Sequence, residues 1–79
     1  MPYFDLFLWD EDNESHIAEH NITTAEFQYV VLSIDRVQYS RSSGRPCVFG
    51  YTEAGRFLCC VYEDVEGYCY PVTAYEVEE

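Results

Sequence analysis

Residues 57–62 form a run of six apolar side chains, bounded by Gly55 and Arg56 on one side and by Glu63 and Asp64 on the other. A strand with one face in water alternates apolar and polar residues, and this run does not alternate. Six residues are short for a helix, and the aromatic and β-branched members of the run suit a pleated sheet. The pattern therefore predicts a central strand that is covered on both faces.

Two further aromatic-rich runs, at 47–52 and 68–77, flank this central strand and predict its neighbours in the sheet. Upstream of them, residues 37–40 alternate apolar and polar side chains, which predicts a half-exposed strand. Pro71 removes one backbone donor from the last strand and indicates an edge or a bulge there. Turn residues separate the last three strands at 53–55 and 64–67. The pattern predicts a four-stranded antiparallel meander.

The N-terminal part of the chain predicts one strand followed by a short helix. Residues 3–9 are largely apolar on both faces of an extended segment. Asp10 or Asp12 is expected to cap the helix, and Asn21 is a suitable left-handed stop. The stripe of this helix is narrow and consists of Trp9, Asn13, Ile17 and His20.

A second helix is predicted by a capping box, in which Thr23 precedes Glu26 by three residues, with Ile22 positioned to pack on Phe27. Its apolar face consists of Phe27, Val30, Val31 and Ile34. The element order is thus a strand, two short helices and four strands, within one domain at 1–79. This order predicts an α+β fold with both helices packed on one face of an antiparallel sheet.

Charge changes the range of expected partners. The chain of 79 residues has fifteen acids against four bases and a formal net charge of −11. Such a chain repels polyphosphate on average, because nucleic-acid affinity comes largely from cations that neutralise phosphates. The cations lie within one window of the sequence: Arg36, Arg41, Arg45 and Arg56. Either they form a local anion-binding patch, or they pair with carboxylates at the surface.

The four cysteines are expected to be small buried residues with reduced thiols. The N-terminus has neither a basic segment nor a long apolar core, so we expect no signal peptide and a cytoplasmic protein. Cys59 and Cys60 are adjacent on a strand and should face opposite sides of the sheet. No metal, cofactor or membrane contact is expected, although His16 and His20 have the spacing of two ligands on one helical face.

Five short motifs follow one another along the chain: Trp9-Asp10 before the first helix, 20–23 between the helices, Glu26, 50–56 before the central strand, and Thr73-Ala74 in the last strand. In these motifs and in the order of its elements, the chain resembles the BrnT toxins of bacterial type II toxin–antitoxin systems. The resemblance covers most of the chain. It implies a RelE-like fold and a partner antitoxin, a basic DNA-binding protein that holds the toxin inactive.

The resemblance also implies a metal-independent ribonuclease without a cofactor, acting on mRNA. In that chemistry a ribose 2′-hydroxyl attacks the adjacent phosphate, a base takes its proton and cations hold the developing charge. The residues that the resemblance implies for catalysis are Arg56, His20 and Tyr75. Those implied for holding RNA are Arg45, Arg41 and Tyr70.

The chain departs from the resembled family where Asn13 and Glu19 stand in place of basic residues, and again in the last strand, where Tyr75 rather than an arginine follows Ala74. The alternative prediction is therefore a non-catalytic acidic module that binds a basic protein partner. On that interpretation His20 is only a helix-end residue, and Arg56 only forms an ion pair with Glu53 or Glu63. Whether the chain forms a homodimer is left open.

Overall fold

The structure is a computed structural model and describes residues 7–33, 38–39 and 44–77 of the chain. Two helices precede an antiparallel sheet, as the α+β prediction requires, and the order of strands in the sheet follows their order in the chain. The elements are α1 (Glu11–Glu19), α2 (Thr24–Ser33), β1 (Gln38–Tyr39), β2 (Pro46–Tyr51), β3 (Phe57–Val65) and β4 (Tyr68–Glu76).

The apolar run at 57–62 lies in β3, which is hydrogen-bonded to β2 on one side and to β4 on the other. Cys60, for example, lies opposite Val48 of β2 and Ala74 of β4, and all three side chains are buried. The prediction of a central strand is thus confirmed. Its lack of alternation has the expected cause, since both faces of the strand are covered between Leu58 and Tyr62.

The long strands of the sheet are β2, β3 and β4, whereas β1 consists of two residues that pair with β2, Gln38 opposite Cys47. The rest of the strand predicted at 37–40 lies outside the described residues. The strand predicted at 3–9 is described only from Phe7 onward. There Phe7 forms an isolated parallel bridge to Cys69, and the Leu8 N–H donates to the Cys69 carbonyl at 2.8 Å.

The β3–β4 hairpin is tighter than predicted. The expected turn at 64–67 is wrong in its extent, because β3 continues through Val65 and β4 begins at Tyr68. Only Glu66 and Gly67 remain in the loop, with φ of 54° and 87°. Two positive φ angles are what a type I′ turn requires, and that turn matches the twist of the paired strands.

The predicted irregularity at Pro71 is a bulge. Val61 pairs with Thr73 and Tyr62 pairs with Pro71, so Val72 has no counterpart on β3. The proline, which lacks an N–H, therefore lies where the ladder is interrupted. The bulge lies within β4, along which α1 packs.

Both helix starts follow the predicted caps. The Asp10 side chain accepts from the Asn13 N–H at 2.8 Å, and the Asn13 side chain accepts from the Asp10 N–H at 2.8 Å. Thr23 and Glu26 form the same reciprocal pair at the start of α2. After α1, Asn21 has a φ of 60°, as its role as a left-handed stop requires.

The sheet has two unequal faces. The helices bury Ile17, Phe27 and Val30 against Leu58 and other β residues in the main core. On the opposite face a smaller cluster consists of Cys47, Cys59 and Val61, with Phe49, Val72 and Val77 packed around it. Cys59 and Cys60 belong to different clusters, which confirms their predicted opposite orientation. Within the described residues, no helix is long and apolar enough to cross a membrane.

Candidate functional site

Three of the predicted site residues lie around the end of α1: Arg56 contacts Asn21 there, and His20 is paired with Tyr75 of β4. An Nη1–H of Arg56 donates to the Asn21 carbonyl at 2.9 Å, directly after the end of α1. The His20 ring, one residue earlier, lies 6.3 Å from the Tyr75 ring between centroids. We call Arg56, His20 and Tyr75 with their contacts the Arg56 corner.

The hairpin turn before β3 positions Arg56. Gly55 supplies the φ of 86° that the turn needs, and its N–H donates to the Thr52 carbonyl at 3.0 Å. The buried Thr52 then accepts from the Arg56 N–H through Oγ1 at 3.1 Å. These hydrogen bonds fix the backbone at Arg56. Its side chain extends from there toward α2, where it contacts Glu26.

Two carboxylates bind the guanidinium of Arg56. Its Nη1 lies 3.1 Å from Oε2 of Glu26, and its Nη2 lies 3.3 Å from Oε1 of Glu76. The sequence predicted an ion pair of Arg56 with Glu53 or Glu63. An ion pair is present, but its partners are Glu26 and Glu76, so the predicted partners are wrong. An anion that approaches Arg56 meets two negative groups beside one positive group, so the corner is a poor phosphate site as it stands.

His20 caps the end of α1. Its backbone N–H donates to the Ile17 carbonyl at 3.0 Å, while its ring is exposed and faces Tyr75. The helix-end interpretation is thus supported through the backbone of His20 rather than through its ring. The ring remains accessible for proton transfer.

Tyr75 is held as a hydrogen-bond donor. A hydrogen bond with the thiol of Cys59, the residue of β3 that pairs with Tyr75, raises the pKa of Tyr75 to about 12. The hydroxyl therefore keeps its proton at neutral pH and has no role as a base there. Sequence reasoning missed Cys59 as the partner, because the pairing depends on the register beyond the bulge.

The residues expected to hold RNA lie at the other end of β3. The Nε–H of Arg45 donates to Oε1 of Glu63 at 2.8 Å, and the Tyr70 hydroxyl donates to Oδ2 of Asp10 at 2.7 Å. Glu63 lies six positions after Phe57, the start of β3, which is about 20 Å at the usual rise of a strand. The structure therefore does not bring Arg45 and Tyr70 to the Arg56 corner. Arg41 lies outside the described residues.

Hydrogen bonds shift the pKa values of Asp10 and Tyr70 at this end of β3. The backbone N–H of Asn13 and then the hydroxyl of Tyr70 lower the pKa of Asp10. The same contact, helped by the charges of Asp12 and Glu63, raises the pKa of Tyr70. Tyr70 thus connects β4 to the cap of α1 through a neutral donor and an ionised acceptor.

Acidic side chains surround this end of the molecule. Glu11, Asp12 and Glu14 occupy the first turn of α1, where the positive end of the helix dipole favours them, and all three are exposed. Of the arginines that the structure describes, Arg45 and Arg56 each form an ion pair with a carboxylate. The described surface is therefore mainly negative. Among the described residues, the arginines form no patch of unpaired positive charge.

An open cavity of about 290 Å³ lies between α2 and the β2–β3 turn. Sequence reasoning missed it, because its walls come from segments more than twenty residues apart whose packing the pattern does not specify. The lining residues are Ala25, Glu26, Tyr29, Thr52, Glu53 and Ala54.

Among the described residues, no three His, Cys, Asp or Glu side chains are grouped so as to hold a metal ion. The Nδ1 atom of His16 lies 3.2 Å from the Val72 carbonyl, beside the bulge. This contact gives the exposed histidine a structural partner.

Comparisons with known proteins identify no relative. No family model matches the chain, and neither the curated proteins nor the solved structures contain a match. Arguments about function therefore rest on the geometry described above.

Proposed function

We propose that the chain is a non-catalytic acidic module that binds a basic protein partner. The observation that carries this proposal is the state of its cations: Arg45 and Arg56 are both paired to carboxylates, while Glu11, Asp12 and Glu14 stand exposed. A surface of one sign attracts an opposite surface over several ångströms and speeds the encounter. The charge of −11 adds to this attraction.

The test starts from the partner itself. Affinity capture from an extract of the source organism, followed by cross-linking and mass spectrometry, identifies a candidate, which is then purified. Calorimetric titration should give a defined stoichiometry, with affinity falling steeply as NaCl rises from 50 mM toward 1 M. Binding that is unchanged at 1 M NaCl, or a specific partner that is not basic, would contradict the proposal.

A pair of variants locates the attraction on α1. The double variant Glu11→Gln/Glu14→Gln removes two exposed charges and keeps the Asp10 cap, so binding at low salt should weaken about five-fold or more. Ser15→Ala is the matched control, because Ser15 is an exposed neutral residue of the same helix. It should bind as the unmodified chain does.

A second candidate function is that of a BrnT-like ribonuclease with a RelE-like fold. It is favoured by two contacts at the end of α1, that of Arg56 with the Asn21 carbonyl and that of the His20 ring with Tyr75. His20 would take the proton of a ribose 2′-hydroxyl as that oxygen bonds to the adjacent phosphorus, and Arg56 would hold the charge that develops on the phosphate. The bond from phosphorus to the 5′-oxygen would break, and the departing oxygen would take its proton from water. Tyr75, whose hydroxyl is bonded to Cys59, would stack its ring on a base. The basic partner would then be the antitoxin.

This second candidate has a sharp test with purified protein and RNA at low salt. Arg56→Ala should abolish cleavage, whereas Glu76→Gln should increase it, because Glu76 competes with phosphate for the guanidinium. RNA that stays intact with micromolar protein would eliminate the candidate. The acidic-module proposal is unaffected by that result.

A further inference from the structure

The cavity between α2 and the β2–β3 turn is lined by two alanines, a tyrosine, a threonine and two glutamates. Ala25 and Ala54 have small side chains, which leaves the space open between the two segments. Tyr29 of α2 lines one side of the cavity and is 41% exposed. An aromatic ring beside carboxylates is a combination that binds cations.

The two carboxylates of the cavity are not equivalent. Glu26 is already used, since Arg56 donates to it and the Thr23 backbone N–H donates to its Oε1 at 3.0 Å. Glu53 is exposed, and within the part of the chain that the structure describes it forms no ion pair. The charge of Glu53 is therefore available to a ligand that enters the cavity.

We propose that this cavity binds a single arginine side chain of the basic partner. The inference rests on the proposed function, because it names the place where one cation of that partner inserts. The aliphatic stem packs against Ala25 and Ala54, the guanidinium plane stacks on the Tyr29 ring, and its N–H groups reach the Glu53 carboxylate.

Size and chemistry favour this ligand over other kinds. The cavity of about 290 Å³ lies at the lower end of the range of about 300–1,000 Å³ that is typical of ligand pockets, and its open side can admit a side chain from another protein. The charge of Glu53, which has no ion-pair partner among the described residues, disfavours an anion. Arginine is preferred to lysine because its flat guanidinium can stack on the ring and bind a carboxylate with two N–H groups at once.

The experiment uses a blocked Gly-Arg-Gly peptide titrated into the ¹⁵N-labelled chain, followed by amide chemical shifts. The shifts should move at Ala25, Thr52 and Glu53 and should stay constant in α1. An identical peptide with citrulline, which is neutral but of similar shape, should bind much more weakly. A lysine peptide should bind with intermediate affinity. Equal binding of the citrulline peptide, or shifts spread over all acidic residues, would overturn the inference.

Variants separate the cavity from the general charge of the molecule. Glu53→Gln should weaken the arginine peptide about five-fold, the usual scale of one exposed charge pair. Tyr29→Leu should weaken it about three-fold through loss of the cation–π contact, and its fold can be verified by the amide spectrum. The matched control Glu66→Gln removes the same charge from the exposed β3–β4 loop, at the opposite end of β3 from the cavity, and should leave the affinity unchanged. An equal loss in Glu66→Gln would overturn the inference.

The same variants distinguish the inference from the proposed function. If Glu53→Gln still binds the full partner with unchanged affinity and salt dependence, the acidic module stands and the arginine cavity is wrong. If no basic partner exists but the arginine peptide binds at Glu53, the cavity stands and the proposed function fails.

Discussion

Arg56, at the start of the central strand, is joined to Glu26 in the second helix by a contact of 3.1 Å between Nη1 and Oε2. The two residues lie thirty positions apart in the chain. Because the same guanidinium also reaches the Asn21 carbonyl and Glu76, one side chain connects the helix pair, the hairpin turn and the last strand.

Loss of this arginine should destabilise the protein. Arg56→Gln removes both ion pairs and leaves Glu26 without its main partner, so the free energy of unfolding should fall by about 1–2 kcal/mol. Urea denaturation followed by circular dichroism measures the change. Arg56→Lys keeps the charge but not the fork of donors, and it should recover only part of the loss. Full recovery with lysine would mean that charge alone matters.

The contact between Tyr70 and Asp10 should make stability depend on acid pH. The pKa of Asp10 is lower in the folded chain than in the unfolded chain, chiefly through the Asn13 N–H and then through Tyr70. This carboxylate therefore contributes stability above its unfolded pKa, and the contribution is lost as the pH falls through its folded pKa. An NMR titration should show that Tyr70→Phe raises the pKa of Asp10. An unchanged value would show that the hydroxyl contributes nothing.

The centre of β3 should carry much of the packing energy. Leu58 is fully buried in the main core, so Leu58→Ala should lower the free energy of unfolding by about 3 kcal/mol, which is a large part of the stability of so small a domain. Val65 lies on the same strand and is 41% exposed, so Val65→Ala should change the free energy of unfolding by less than about 0.5 kcal/mol. Similar losses at both positions would contradict the described burial.

Thiol reactivity should follow burial. Burial raises the pKa of the Cys60 thiol far above its usual range and that of Cys69 to about 12, so neither forms a thiolate in the folded chain. Cys47 is slightly accessible and lies on β2, next to the two-residue β1. Timed alkylation with mass spectrometry should label Cys47 first and Cys60 only on unfolding. In 6 M urea all four should react alike, and early labelling of native Cys60 would refute this order.

Local patterns predicted the elements well, because the causes of those elements are local. The Thr23–Glu26 box and the Asp10 cap use residues three positions apart, and the unbroken run at 57–62 reports directly on burial of both faces. An irregularity at Pro71 could also be expected, because proline has no N–H to donate to a neighbouring strand. The structure has a bulge there.

The candidate site was much less predictable. The partners of Arg56 lie thirty and twenty residues away, and they depend on how α2 packs over the sheet and how β4 is aligned with β3. No periodicity in the sequence contains that information. The same holds for the cavity at Glu53, whose two walls are brought together only by the docking of a helix on a turn.

The short loop of Glu66 and Gly67 has a consequence for the order in which the chain folds. It closes the hairpin of the two longest strands, so the entropy lost in bringing β3 and β4 together is small compared with that of docking α1 against β4. We expect this hairpin to nucleate folding, with α1 added after the rate-limiting barrier. Gly67→Ala should then slow refolding, whereas Ile17→Val should mainly speed unfolding. Equal slowing of refolding by both variants would show that the helix docks just as early.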